Sequence, residues 1–406
     1  MAASVAFHPK AHSSASAERF DDAGLKPAIP DFQLNWLKLR DFRNYNTLTI
    51  DEMAGQMVLI GPNGAGKTNI LEAISLLAPG RGLRRAARAD LVRAEKGNAS
   101  SAHSPGHSAG RQWAVAAEIV TPDGPVQMGT GSVEDDMRRA VRVNGAPAAQ
   151  SDLGQICAIS WLTPQMDGLF LDGPSSRRRF LDRLAISFDP AHAGRLTRYD
   201  KAFRERSKLL QERPGEESWL ASLEAGLAET GVAIMATRAA LIADMNHVLK
   251  TEETGFPRAH IELKGGGCEA LEARPALEVE DSLRLAAQEN RQQGQTSMPG
   301  PHASDMLVWH ADNQQQAHLC STGEQKALLI ALILAHASLQ GHRLGRPPIL
   351  LLDDVAAHLD ATRRQLLFAR CSQLKGQVWY SGTDHNMFTK TAQETQFIDL
   401  QQGQIC

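Results

Sequence analysis

The chain is poor in several things. Five of its 406 residues are cysteine, at 157, 268, 320, 371 and 406, and no two form a Cys-x-x-Cys pair. That scatter argues against a disulfide framework and a thiolate zinc site, and for a reducing, cytoplasmic setting. Aromatics are 5% of the residues, too few for a groove that stacks successive unpaired bases. The formal net charge is -3, so attraction to nucleic acid has to come from local patches. No uninterrupted apolar run reaches ~18 residues, so no membrane span is expected. No heptad array runs on for hundreds of residues and no internal repeat is visible, which argues against a long coiled coil or a solenoid.

The remaining composition, 42% hydrophobic and 22% charged, is that of a globular protein with one or two cores. Residues 1–30 are rich in Ala and Ser and lack an apolar signal core. They read as a mobile tail, with a cleaved targeting peptide as the alternative. From Gln33 the text is strand-like: QLNWLKLRDF, NTLTI, QMVLIG. WAVAAEIV, VQMGTGSV and RRAVRVNG read as antiparallel strands, with Asn144-Gly145 as a turn, and ICAISWL as another strand. Residues 174–250 carry a helical pattern. Loops are expected at 97–110 and 290–304. The end returns to α/β order: a helix at 321–340, a strand at 348–353, a helix near 360–374, a strand at 377–381 and a strand pair around Gly403.

Residues 61–68 read GPNGAGKT, between the apolar strand MVLI and the helix NILEAISLL. This is G-x-x-x-x-G-K-[ST] in the context the motif requires. Gly61, Gly64 and Gly66 let the backbone wrap a phosphate with its N–H groups inward, Pro62, Asn63 and Ala65 completing the loop. Lys67 would reach the outer phosphates, Thr68 would hold Mg2+ by its hydroxyl, and Asn69 continues the loop into the helix. Near the other end, PILLLDD runs four aliphatics into two acids. A buried strand that ends in carboxylates is expected to face a cation. Asp353 would bind Mg2+ and Asp354 would orient an attacking water. The two motifs are far apart in sequence, so a nucleotide fold split by an insertion is expected.

Residues 320–337, CSTGEQKALLIALILAHA, are apolar from Ala327 to Ala335 and should form a buried helix. Ser321 and Glu324 have capping-box spacing. Gly323 costs the first turn up to ~1 kcal/mol relative to Ala, which makes sense if that end must come close to an anion.

GPNGAGKT, CSTGEQKALLIA and LLLDDVAAHLD, in this order, resemble the head domains of the ABC-type ATPases that act on DNA. LRDFRNYNTL and GPSSRRRFLDRL are similar to the opening and central motifs of one group among them, the RecF family. The resemblance implies an α/β, P-loop ATPase head with a helical lobe II insertion and no long coiled coil. The expected division is a tail at 1–30, lobe I at 31–168 and 306–406, and lobe II at 169–305. It implies ATP held between two heads, with Ser321, Gly323 and Glu324 of one capping the γ-phosphate bound by the other. Further nucleotide-site residues follow from matching positions: Arg43 and Asn44 beside the phosphate loop, Gln165 as a metal-sensing glutamine, Asp360 facing the second subunit, and Thr383 with Asp384 in preference to His385. The family also implies a slow, DNA-stimulated ATPase that binds duplex DNA near single-strand gaps, dimerises with ATP, and works with RecR and RecO to load RecA.

Basic stretches supply DNA candidates: Arg84 and Arg85 in RGLRRAARADLVR, Arg178 in SSRRRFLDR, and Arg195, Arg198 and Lys201 in RLTRYDKAFRERSK, which also holds Arg206. A helix would align Arg195, Arg198 and Lys201; the alternative is an ordinary solvated face paired with Asp200 and Glu205. A transporter ATPase subunit is the runner-up function, but it would carry an LSGGQ-like signature, a switch histidine and a smaller helical lobe. A chromosome-structural ATPase would need a long coiled coil.

Overall fold

The computed structural model describes residues 32–93, 112–133, 136–388 and 395–406. The expected tail and the 97–110 loop lie outside them.

The chain opens with strands β1 (Gln33–Phe42), β2 (Tyr45–Ile50) and β3 (Gln56–Ile60), then helices α1 (Lys67–Ser75) and α2 (Arg88–Leu91). Strands β4 (Ala114–Thr121), β5 (Gly124–Val133), β6 (Asp136–Val143) and β7 (Ala146–Pro147) follow. With β1 and β2 they make an antiparallel sheet in the order β2-β1-β4-β5-β6-β7. Asn144 and Gly145, both at positive φ (49° and 81°), turn β6 into β7 as a type I′ pair does. Helix α3 (Gln150–Ile156) leads to β8 (Ile159–Leu162). The expected strand ICAISWL is therefore shorter at its start, because Ile156 closes α3.

Helices α4 (Pro174–Ile186), α5 (Ala191–Glu212) and α6 (Glu217–Thr251) form the expected helical region, followed by β9 (Ala259–Lys264), α7 (Ala270–Ala273) and α8 (Ala276–Gln292). Strand β10 (Asp305–His310) pairs with β9 and with β11 (Gln315–Gln316). This small sheet inside the helical part was not expected. In the structure β10 alternates half-buried and buried along DMLVWH, an alternation its run of apolar residues does not display in sequence.

The C-terminal part supplies α9 (Thr322–Leu344), β12 (Ile349–Leu352), α10 (Ala361–Gln373), β13 (Val378–Gly382), β14 (Thr395–Gln401) and β15 (Gln404–Ile405). Strands from both ends of the chain then share one sheet, β15-β14-β3-β13-β12-β8, parallel from β14 to β8. β3, β8, β12 and β13 are buried at every residue, as expected of parallel strands covered on both faces. Alternation assigns their side chains to two cores. Val58, Ile60, Leu350 and Leu352 join the apolar run of α9 and residues of α4 and α6. Met57, Leu59, Leu351 and Trp379 join α1 and the antiparallel sheet.

Helix α9 begins at Thr322 on the Ser321 cap and runs four residues past the expected end, to a left-handed Gly345 (φ 62°). By length and composition α6 and α9 are each apolar enough to cross a bilayer. In α9, 72% of the apolar window is covered by the rest of the protein, as in a core helix.

Candidate nucleotide site

The parallel sheet brings the scattered motifs to one edge. Register pairs Ile60 with Gly382 and Asp399, and Leu352 with Tyr380 and Leu162. The loops after these residues carry the GKT segment, Thr383 and Asp384, the acid pair, and Gln165, all at the carboxyl ends of the strands, where open α/β sheets bind ligands.

The phosphate loop is shaped by what lies under it. Gly66 has φ 110°, and a Cβ there would run into the Tyr45 hydroxyl and the Asn44 amide. Only glycine fits. Gly64, at φ 83°, has nothing within 4 Å of where a Cβ would stand, so that turn is open for an approaching group. Gly403 N–H donates to the Ala65 carbonyl at 3.1 Å, so the β14–β15 turn props the loop from the side. Pro62 and Asn63 are exposed at its crest, and Asn69 donates to Asn44 Oδ1 at 2.6 Å.

Lys67 Nζ donates to the carbonyls of Gly61 (2.6 Å) and Pro62 (3.0 Å). Burial lowers its pKa, and the charges of Asp354 and Asp353 partly offset that. Thr68 Oγ1 donates to Asp353 Oδ1 at 2.9 Å across 285 positions of sequence. Ser381 Oγ donates to the same oxygen at 2.8 Å and accepts from the Asp354 backbone N–H at 2.8 Å. Burial raises the Asp353 pKa, while Ser381 and Thr68 pull it down. A hydroxyl and a carboxylate oxygen converging at 2.9 Å are a hard donor set that suits Mg2+.

Asp354 stands in the left-handed region, φ 53°, and its Oδ1 is buried without a hydrogen-bond partner. Such strain costs of order 1–3 kcal/mol and clusters at functional sites. An orphaned carboxylate oxygen beside the metal donors suits a group that must accept a proton from water.

The start of α9 is open while the rest is covered. Ser321, Thr322 and Gly323 are exposed, and every residue from Gln325 to Ala337 is buried. The capping box is formed: Glu324 N–H donates to Ser321 Oγ at 3.4 Å, and Ser321 N–H to Glu324 Oε2 at 2.9 Å. The Ser321 hydrogen bonds hold the Glu324 carboxyl below its usual pKa. Asp360 caps α10 through the Arg363 N–H at 2.9 Å. Gln165 is exposed in the short turn after β8, and Thr383 is exposed after β13.

Other expected residues are engaged elsewhere. Arg43 makes two bonds to Glu72 (2.7 and 2.8 Å) and one to the Asp90 carbonyl, so it tethers the β1–β2 turn to α1. Arg84 turns inward as well, to Asn69 Oδ1 at 2.6 Å and Glu72 at 3.2 Å. Arg178 donates to the Ser304 carbonyl at 2.6 Å and Arg195 pairs with Asp189. Arg85, Arg198 and Lys201 are exposed. Arg206 is wholly buried, bonded to Glu224 and to the carbonyls of Ala287 and Thr296, and so holds α5, α6 and α8 together.

Three residues of the site were not foreseen. Ser381 organises both acids, Lys326 ties α9 to Asp167 beside Gln165 at 3.1 Å, and Arg363 donates to the Gly323 carbonyl at 3.2 Å. Only Ser381 left a trace in the sequence, as the polar residue at the end of the apolar strand VWYSG.

The chain is similar to known proteins. The RecF/RecN/SMC N terminal domain family matches residues 33–405. The DNA replication and repair protein RecF of Rhizobium rhizogenes is 44% identical over 91% of this chain and 97% of its own. RecF of Mesorhizobium japonicum is also 44% identical, over 91% and 96%. Among solved structures, the recombination mediator protein RecF-ATP of the RecFOR pathway superposes with a TM-score of 0.76 at 21% identity, over 94% of this chain and 99% of that one. The RecF-ATPrS structure gives 0.77 at 20%, over 92% and 98%.

Proposed function

The chain belongs to the RecF family of DNA replication and repair ATPases, and from that premise we propose that it is an ATP-gated dimer that closes on duplex DNA beside single-strand gaps. The observation that carries the nucleotide half is the Thr68–Asp353 contact, which joins motifs from opposite ends of the chain into one site.

When ATP is bound, it supplies a γ-phosphate whose bond to the β-phosphate can be broken by water. The backbone N–H groups of 61–68 wrap the phosphates, as the glycine geometry allows. Lys67 exchanges the carbonyls of Gly61 and Pro62 for phosphate oxygens. Thr68 and Asp353 would hold Mg2+, which would supply positive charge to neutralise the phosphate oxygens. Asp354 orients the water and takes its proton.

The exposed first turn of α9 supports the dimer. Its unpaired N–H groups and dipole suit a terminal phosphate carried by a second copy. ADP lacks that phosphate, so dimers form with ATP and part after hydrolysis. Asp354→Asn should hold ATP and remain dimeric. In sedimentation runs wild-type protein should dimerise with ATP and stay monomeric with ADP; equal dimer with both removes the gate.

For DNA, the exposed Arg198 and Lys201 on α5 suit phosphate contacts with strong salt dependence and little base reading. The reading includes slow, DNA-stimulated turnover, a cytoplasmic location, and RecR and RecO as partners in loading RecA. The large helical part, in which the 22-residue α5 and 35-residue α6 are not extended into a longer arm, favours it over a transporter subunit or a long-armed chromosome ATPase.

A further inference from the structure

A cleft of about 770 Å³ lies between the loop after α1 and helices α4 and α5, away from the GKT loop. Six arginines line it: Arg81 and Arg85 from the loop, Arg178, Arg179 and Arg183 from α4, and Arg238 from α6. Among the described residues Arg238 pairs with Asp182, and none of the other five makes an ion pair. Arg81 donates to the Ala86 carbonyl, Arg178 to the Ser304 carbonyl and Arg179 to the Ser176 hydroxyl. Arg183 lies over the rings of Trp161 (4.7 Å) and Phe180 (5.1 Å), and its Nη2 is buried with no hydrogen-bond partner. The carboxylate of Asp182, also in the wall, is spent on Arg238 and on His192 at 2.8 to 2.9 Å.

Asp172 and Asp200 also line the cleft, yet among the described residues neither pairs with these arginines, in a fold that pairs the adjacent Arg177 with Asp305 at 2.7 Å. The mutual cost of the arginines is visible. Burial and then the charges of Arg179 and Arg81 lower the Arg85 pKa. Burial and then Arg85 push Arg183 down to about 9. Arg85 is also held at φ 53°, a strained setting for a side chain this large. A dense anion would relieve the repulsion and satisfy the orphaned Nη2. Planar guanidinium forks match phosphate oxygens in pairs. The volume is that of a small-molecule site, which a duplex cannot enter.

We propose that this cleft is a second phosphate site, separate from the GKT loop, that takes a compact polyphosphate or phosphodiester group: a nucleoside polyphosphate or the end of a nucleic-acid strand. The site stands whether or not ATP drives dimerisation, because its arginines lie outside the GKT loop and the acid pair, although Gln165 of the nucleotide edge also lines the cleft.

The test uses full-length Lys67→Met protein, in which the GKT loop is disabled, with its fold checked by circular dichroism. Titration calorimetry with inorganic tripolyphosphate should show one saturable site. The double change Arg85→Ala, Arg179→Ala should weaken it at least ~tenfold, since each lost charge-assisted bond is worth more than 1.4 kcal/mol. Arg198→Ala, Lys201→Ala should leave it unchanged. If the double variant fails to fold, Arg179→Gln alone, at an exposed position, should still weaken binding. Displacement by ADP identifies a nucleotide as the source; displacement by a single-stranded tetranucleotide identifies a strand end. No binding to the Lys67→Met protein, or binding that survives loss of Arg85 and Arg179, overturns the proposal.

Discussion

At the scale of residues, the nucleotide edge depends on a few side chains with no room to change. Gly66 is the clearest. An alanine there meets Tyr45 and Asn44 and is strained at φ 110° besides. Gly66→Ala should therefore reduce ATP affinity at least ~tenfold, a loss of 1.4 kcal/mol or more. Equilibrium binding of a fluorescent ATP analogue reads this directly; affinity within twofold of wild type would mean the loop does not grip the phosphates as described. Asp353 gives a pH prediction. Its buried carboxyl has a raised pKa, so protons compete with Mg2+ at a higher pH than an ordinary aspartate allows. The hydrogen bond from Thr68 favours the charged form, so Thr68→Ala raises that pKa further. The Mg2+-dependent part of ATP affinity should then fall off at higher pH in Thr68→Ala than in wild type, whereas a shift toward lower pH would contradict the hydrogen bond.

At the scale of elements, α9 does two jobs. Its apolar body is core and its polar start is an exposed, formed cap that in our reading serves the site; the core run and the cap were legible as an unbroken apolar run behind Ser-Thr-Gly-Glu. The GKT loop and the ILLLDD strand were legible for the same reason: local chemistry names them. What was hidden depends on partners remote in sequence. Nothing local says that Arg43 and Arg84 share the buried Glu72, or that Arg206 is core while Arg198, two turns earlier on α5, is surface. A charge reads as surface until its partner is known. The β9–β10–β11 sheet was hidden because each strand is short and half-covered, so alternation stayed weak beside the long helices. His336 is a further hidden feature. From α9 it meets Ser160 of β8 at 3.0 Å, and Ser187 and the Leu184 carbonyl at the end of α4 at 3.0 and 3.1 Å. Burial pushes its pKa down to about 3. The unfolded chain thus takes up this proton near pH 6.5, well before the folded one does. Its contribution is complete above that pH and is lost as pH falls toward 3, at about 1.4 kcal/mol per pH unit. His336→Gln should flatten the fall in urea-unfolding stability between pH 6 and 4 by roughly that slope. An unchanged slope would mean the imidazole is not held neutral.

At the scale of the whole molecule, a split chain builds one nucleotide edge and leaves one helix start facing outward. Within a single copy, Lys326 and Arg363 brace that start against Asp167 and the helix after the acid pair. The start of α9 and the GKT loop are thus parts of one rigid head that, in our reading, complete each other only between heads. Lys67→Met and Ser321→Arg proteins measure this most directly when their ATPase activity is assayed alone and then mixed one to one. Each alone should be inactive, since every site lacks either its loop or its cap. The mixture should recover about a quarter of wild-type activity, because half of the dimers are mixed and each carries one intact composite site. A Ser321→Arg protein that hydrolyses ATP normally alone, or a mixture that stays inactive while both proteins are folded, contradicts a nucleotide gripped by two copies.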